Sequence, residues 1–246
     1  MRVAVAGGTG LTGRHVVDEL VAAGHEPVVL ARSRGVDLAT ATDLDGALVS
    51  VDALIDVTNV QTARRKASFR FFDAVGRHLL AAEERAGVRH HVALSIVGVD
   101  RVDLGYYEGK RRQEELLATS RVPWTVLRCT QFHEFAGQVL ALAPGPVAVV
   151  PRMLTRPVAV AEVAAELVRL AVAPPQGMAP ELAGPREEQM ADMARQLLKA
   201  RGSRRLVLPL RMPGATGRAM AGGGLLPTAD GPRGTTTFEG WLAAGR

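Results

Sequence analysis

Val3-Ala4-Val5-Ala6-Gly7-Gly8-Thr9-Gly10-Leu11-Thr12-Gly13-Arg14 is the stretch that decides the fold. Four small apolar residues in a row read as a buried strand. The segment after Gly10 reads as a helix, because Val16, Val17, Leu20 and Val21 share one face and Gly24 provides a stop. Between the two, Gly8, Gly10 and Gly13 carry the spacing G-x-G-x-x-G. One glycine permits the tight turn, a second lets the backbone approach a pyrophosphate, and the third lets helix and strand pack closely. The exposed N–H groups and the positive end of the helix then hold phosphates. Gly7, Gly8, Thr9, Gly10, Leu11, Thr12 and Gly13 therefore read as a dinucleotide-binding turn. No Gly-Lys-Ser/Thr follows, which argues against a phosphate-loop nucleotidase.

Outward from this turn, short apolar runs alternate with helical patterns up to residue 130. Strands are expected at Pro27–Ala31, Ala53–Val57, His91–Ile96 and Trp124–Cys129, with at most a short strand at Val36–Leu38. Helices are expected near Thr42–Val49, over Ala63–Ala86 with Phe72, Val75 and Leu79 buried, and over Tyr106–Ser120. Right-handed crossovers then give an α/β fold of Rossmann type, a doubly wound parallel sheet. Residues 1–130 are assigned to this dinucleotide-binding core. Residues 131–246 form a small C-terminal substrate-binding region packed on it, with helices at Glu134–Leu142, Val160–Val172 and Glu187–Ala200 and a strand at Leu206–Leu210.

The end of the second strand selects the cofactor. NAD binders place an acid about 20 residues after the glycines, where it bonds the ribose 2′-hydroxyl. Here Arg32-Ser33-Arg34 stands at that place, and Arg14 follows the last glycine. Guanidinium groups suit the 2′-phosphate of NADP. NADP(H) is therefore expected ahead of NAD(H).

Tyr106 and Lys110 lie four apart on an expected helix and share a face. An ammonium beside a phenol favours its ionised form, drawing its pKa towards the range of a general acid. Only three of the 30 basic residues are lysine and only two tyrosines exist, so the pair is improbable by scarcity alone. Tyr106 is read as proton donor to a carbonyl oxygen, Lys110 as its tuner and as a holder of the nicotinamide ribose. Ser95, at a strand end, is placed to bond the same oxygen.

Composition narrows the alternatives. Of the 30 basic and 25 acidic residues, 17 and 16 lie before residue 131, so the positive excess lies mainly in the second half, around Lys199, Arg201, Arg204, Arg205, Arg211 and Arg218. Aromatics are 4%, too sparse for the interleaved basic-aromatic stripe of a nucleic-acid surface. No apolar run reaches the roughly 18–20 residues of a membrane helix. A strand begins beside the initiator methionine, so a cytoplasmic location with no membrane partner is expected. Cys129 reads as a buried inert thiol, and the six histidines offer no metal site. His90 and His91 point to opposite faces of a strand. His133 is either polar lining of a pocket or a satisfied loop histidine. No long exposed apolar stripe announces an interface, which leaves a homo-oligomer open. Richness in arginine and alanine suggests a bacterial gene.

Taken in order, the glycine turn, the Ser95 strand end and Tyr106-Tyr107-x-x-Lys110 make the chain similar to the atypical short-chain dehydrogenases/reductases, in particular their NmrA-like NAD(P)H-binding branch. The likeness extends over nearly the whole chain, through Arg128-x-x-Gln131-Phe132-His133 and Thr237-Phe238-Glu239-Gly240-Trp241-Leu242. The resemblance implies that Asp37-Leu38 lies by the adenine, Thr58-Asn59 along the cofactor's path, and Phe132 and His133 at the border of a small-molecule substrate. Two departures stand out: the stretch after the second strand is too short for the usual helix, and Gly109 replaces a different small residue. The leading reading is an NADP(H)-dependent reductase of a carbonyl or quinone-like compound. A non-catalytic NADP(H) sensor is the alternative, since some members of the branch lack the tyrosine, and a cofactor-retaining isomerase or cyclase is a third.

Overall fold

The computed structural model describes residues 1–245. In chain order the first elements are β1 (Arg2–Ala6), α1 (Leu11–Ala22), β2 (Glu26–Leu30), a 3-10 turn at Arg32–Arg34, α2 (Leu44–Ala47), β3 (Ala53–Asp56), α3 (Arg65–Ala86), β4 (His91–Ile96), α4 (Tyr107–Ala118) and β5 (Trp124–Cys129). There follow α5 (Phe135–Leu142), β6 (Val147–Pro151), β7 (Leu154–Thr155), α6 (Val160–Val172), β8 (Gly177–Met178), β9 (Glu188–Gln189), α7 (Met190–Ala200), β10 (Leu206–Leu210), α8 (Gly214–Ala221) and α9 (Phe238–Ala243).

Six strands form a parallel sheet in the order β2-β1-β3-β4-β5-β8. The order reverses between β1 and β3, which opens a crevice at their carboxyl ends, the place where such sheets bind ligands. The strands are apolar runs buried on both faces: Val3, Ala4, Val5, Ala6, Leu54 and Ile55 are inaccessible. Phe72, Val75 and Leu79 are the buried stripe of α3. On α1, Val16 and Leu20 are buried, but Val21 is exposed, one position too far round the helix.

Val36–Leu38 is not a strand. Asp37 makes only an isolated bridge to Thr42, while Val36 and Leu38 turn inward to pack with Leu44 and Leu48. The short connection thus fills the core beneath β2 without adding a strand outside it, and α2 is a single turn.

The chain divides into two compact units, and not at residue 130. The first comprises residues 1–95, 104–128 and 160–179, so α6 and β8 return to the sheet-bearing unit, where α6 packs on α1. The second comprises residues 96–103, 129–159 and those from Pro180 on. Its centre is the parallel pair β6–β10, backed by α7 and α5. No helix among the described residues is long and apolar enough to cross a membrane.

Candidate active site

The glycine turn closes on itself by hydrogen bonds: Gly8 N–H to Val5 O at 3.2 Å and Gly10 N–H to Gly7 O at 2.9 Å. Gly7 has a φ of 82°, which a side chain would strain, and a Cβ there would lie 3.1 Å from Val57 O. At Gly13 a Cβ would lie 2.1 Å from Gly7 O and 2.6 Å from Gly8 Cα. Gly13 therefore fixes how close α1 comes to the turn. Gly10 is the helix N-cap with no side-chain cap, and the first turn of α1 carries no acid. Its leading N–H groups have no partner within the helix, and its dipole favours an anion. Across the turn, Thr58 Oγ1 is buried with no hydrogen-bond partner among the described residues. An uncapped helix start, a backbone cradle and an orphaned hydroxyl fit a pyrophosphate.

Gly7 N–H also donates to Leu30 O at 3.1 Å, which ties the turn to the end of β2. Arg32, Ser33 and Arg34 form the 3-10 turn that follows and are exposed, as is Arg14. None of these three arginines has an ion pair or hydrogen-bonded partner for its side chain among the described residues. Asp37, by contrast, turns a carboxylate oxygen to the N–H of Ala39 at 2.9 Å. Leu38 is buried and accepts from His78 Nδ1 at 2.9 Å.

Tyr106 is the N-cap of α4, one residue ahead of the helix proper. Its hydroxyl donates to Asn59 Oδ1 at 2.7 Å, so two separately expected site residues meet. The ring packs edge-on against Phe72 and Tyr107, at 6.0 and 6.2 Å between centroids. Burial, then the neighbouring Tyr107 and the Asp56 carboxylate, push its ionisation up. This corrects the expectation of a lowered value. Lys110 does not supply the field that would lower it: its Nζ is buried, donates to Gln113 Oε1 at 2.6 Å and sits 4.6 Å above the Phe72 ring.

Gln113 continues the chain of contacts, donating from Nε2 to Asp56 Oδ2 at 2.6 Å, while Asp56 Oδ1 accepts the Thr58 N–H at 2.8 Å. Asp56 also faces His91 Nε2 at 3.9 Å, and His91 Nδ1 bonds Glu83 at 2.8 Å. Asp56, Gln113, His91 and Glu83 are all buried, and none was singled out as a site residue from the sequence. Gln113 lies three residues after Lys110, a helical spacing that could have flagged it. Ser95 belongs to another network, donating to Glu114 Oε1 at 2.5 Å, and Glu114 clamps Arg128 at 3.0 and 2.7 Å.

In the second unit, His133 is fully buried. Its Nε2 donates to Thr236 O at 3.1 Å, and its ring lies 5.7 Å from both Phe238 and Trp241, which stack on each other. The expectation that His133 borders a substrate is not met, because an aromatic cluster encloses it. Phe132 is half-buried and its backbone pairs with Val158.

Residues 7–174 match the family described as NAD(P)H-binding, a span that takes in the glycine turn, Arg32-Ser33-Arg34, Thr58-Asn59 and α4. The chain belongs to the NAD(P)H-binding family. Among curated relatives of this NAD(P)H-binding protein, a (4-alkanoyl-5-oxo-2,5-dihydrofuran-3-yl)methyl phosphate reductase of Streptomyces griseus is 31% identical over 157 residues, 58% of this chain and 51% of the relative. Photosystem II assembly factor Ycf39 of Synechocystis is 29% identical over 150 residues, 54% of this chain and 46% of the relative. The matches thus span about half the length of either relative. Among solved structures, an Escherichia coli NADPH-dependent quinone oxidoreductase complexed with NADPH superposes with a TM-score of 0.73 at 21% identity, covering 98% of this chain and 99% of the other. A nucleoside-diphosphate-sugar epimerase of Staphylococcus aureus gives 0.73 at 16% identity, covering 98% and 99%. At these identities the likeness shows the fold.

Proposed function

We propose that this NAD(P)H-binding protein is an NADP(H)-dependent oxidoreductase, of the atypical short-chain dehydrogenase/reductase type with NmrA-like character, that reduces a carbonyl or quinone-like small molecule. Tyr106 carries the reading. Its hydroxyl is a protonated donor, held by Asn59, and Asn59 follows the Thr58 that touches the glycine turn. When bound, the nicotinamide supplies hydride chemistry. Gly7–Gly13 and Thr58 hold the pyrophosphate, and Arg32, Arg34 and Arg14 hold the 2′-phosphate. Tyr106 gives its proton to the reduced oxygen, and Lys110, fixed by Gln113, holds the nicotinamide ribose. The Streptomyces reductase and the E. coli quinone oxidoreductase support the choice of reaction class.

One observation favours the second reading, a non-catalytic NADP(H) sensor: the ionisation of Tyr106 is pushed up, away from the range of an efficient acid at neutral pH. Tyr106→Phe separates the two. Against a panel of quinones and aldehydes with NADPH, the enzyme reading expects turnover to fall by roughly 10²–10⁴-fold, the usual worth of a positioned acid. Cofactor affinity stays within a few-fold. Turnover unchanged in the variant would remove Tyr106 from the chemistry, and no turnover by the parent protein would leave the sensor.

A further inference from the structure

In the second unit, β6 and β10 run parallel with Leu206 opposite Val147, Leu208 opposite Val149 and Leu210 opposite Pro151. Alternation along a strand sends these residues to one face and Ala148 and Val150 to the other. Ala148 and Val150 are inaccessible beneath α5 and α7, but Val147, Val149, Leu206, Leu208 and Leu210 are between 42% and 68% exposed. Single exposed leucines need no explanation, whereas registered apolar rungs on an open sheet are a docking surface or a hazard.

The charge around this face is as one-sided as its apolarity. Residues 142–152 and 195–212 contain seven basic side chains and no acid; the rest of the chain carries 23 basic and 25 acidic residues. The positive excess therefore falls in the segments that build this sheet and its covering helix α7, and four of the seven, Arg152, Arg204, Arg205 and Arg211, flank the strands themselves. Arg204 and Arg205 precede Leu206 at one end of the rungs. Arg205 is pinned there by bonds to Gly145 O, at 2.8 Å, and Ala143 O. Arg152 and Arg211 mark the other end, where Arg152 N–H donates to Leu210 O at 2.8 Å. Lys199 and Arg201 stand at the end of α7. The acids met along these elements are Asp192, which pairs with Arg195 at 2.6 Å, and Glu239, which shares a surface depression with Lys199.

We propose that the open face of the β6–β10 sheet docks on an anionic lipid membrane. The basic rim complements acidic headgroups while leucine and valine enter the acyl boundary. A second copy of the chain would bring two basic rims together. A protein partner would be met by aromatic anchors in a shaped pocket, and this face has only aliphatic side chains on a sheet. The proposal departs from the expectation of no membrane partner, and it stands independently of the proposed reaction.

Co-sedimentation of the full chain with phosphatidylcholine vesicles, with and without phosphatidylglycerol, tests it. Binding is expected only with phosphatidylglycerol and is expected to weaken as salt is raised. Leu208→Glu and, separately, Arg204→Ala with Arg211→Ala are expected to reduce the bound fraction roughly tenfold or more, with unchanged melting temperature since all three positions are exposed. No binding to phosphatidylglycerol vesicles, or undiminished binding by Leu208→Glu, would overturn the proposal. So would a vesicle-free dimer in sedimentation velocity that Leu208→Glu dissociates, because the face would then be a self-interface.

Discussion

Guanidinium groups without partners are a common surface feature, so the weight of Arg32 and Arg34 comes from where the backbone puts them. The hydrogen bond from Gly7 to Leu30 fixes the end of β2 beside the phosphate turn, and the 3-10 turn begins two residues later. A 2′-phosphate held there gains charge-assisted bonds worth about 1.5–3 kcal/mol each. Arg32→Ala with Arg34→Ala is therefore expected to weaken NADPH by roughly 10–100-fold and leave NADH within about threefold, in calorimetric titrations of parent and variant. Equal losses for both cofactors would assign the arginines to general attraction, and tighter NADH in the parent protein would hand the ribose to Asp37. These arginines were legible because the motif's spacing counts residues along the chain. Asp56 and Gln113 were not, because their significance is a contact across 57 residues of sequence.

At the scale of elements, β4, β5, α6 and β10 fall on their expected bounds, since each is an apolar run or stripe with a clear stop. The strand β6 is not among the expected elements: Pro144, Gly145, Pro146 and Pro151 crowd its short apolar run, and only pairing with β10 shows the pleat between them. Missing β6 also hid the exposed apolar face, which exists only once two strands align. Gly109 falls inside α4 where α3 packs against it. A Cβ at Gly109 would lie 2.3 Å from Ser68 Oγ and 2.7 Å from Ser68 O, and Gly76 of α3 meets Leu116 in the same way at 2.8 Å. Glycines on both helices thus set their approach, which positions Lys110 over Phe72. Gly109→Ala is expected to destabilise by about 1–3 kcal/mol, lowering the melting temperature by roughly 2–4 °C per kcal/mol. Gly46, exposed in α2 with nothing near its Cβ position, is the control. Gly46→Ala is expected to be neutral or to stabilise by about 0.4–1 kcal/mol. A harmless Gly109→Ala would show that α3 and α4 can separate at little cost.

For the whole molecule, the decisive charge lies beneath the site. His91, buried in β4, sits between Glu83 of α3 and Asp56 of the adjacent strand β3, so one imidazole ties a helix to two strands of the sheet. Burial opposes its protonation, but the adjoining Glu83 carboxylate, with Asp56 behind it, wins and holds its pKa above the usual value. The folded state therefore binds this proton more tightly than the unfolded chain, whose histidines titrate near about 6.5. Its contribution is fully present below about pH 6.5 and is lost as pH rises through the folded value. Neighbouring His90 acts in the opposite sense: burial lowers its pKa, so it costs stability as pH falls below about 6.5. Stability is thus expected to peak near neutrality and to fall on the alkaline side by up to about 1.4 kcal/mol per pH unit while His91 titrates. Urea midpoints of the parent and Glu83→Gln across that range measure it. The variant should be less stable at the peak and flat where the parent declines. A parallel decline in both would mean that His91 is neutral in the folded protein, leaving Asp56 to be balanced through Gln113 and Lys110 alone.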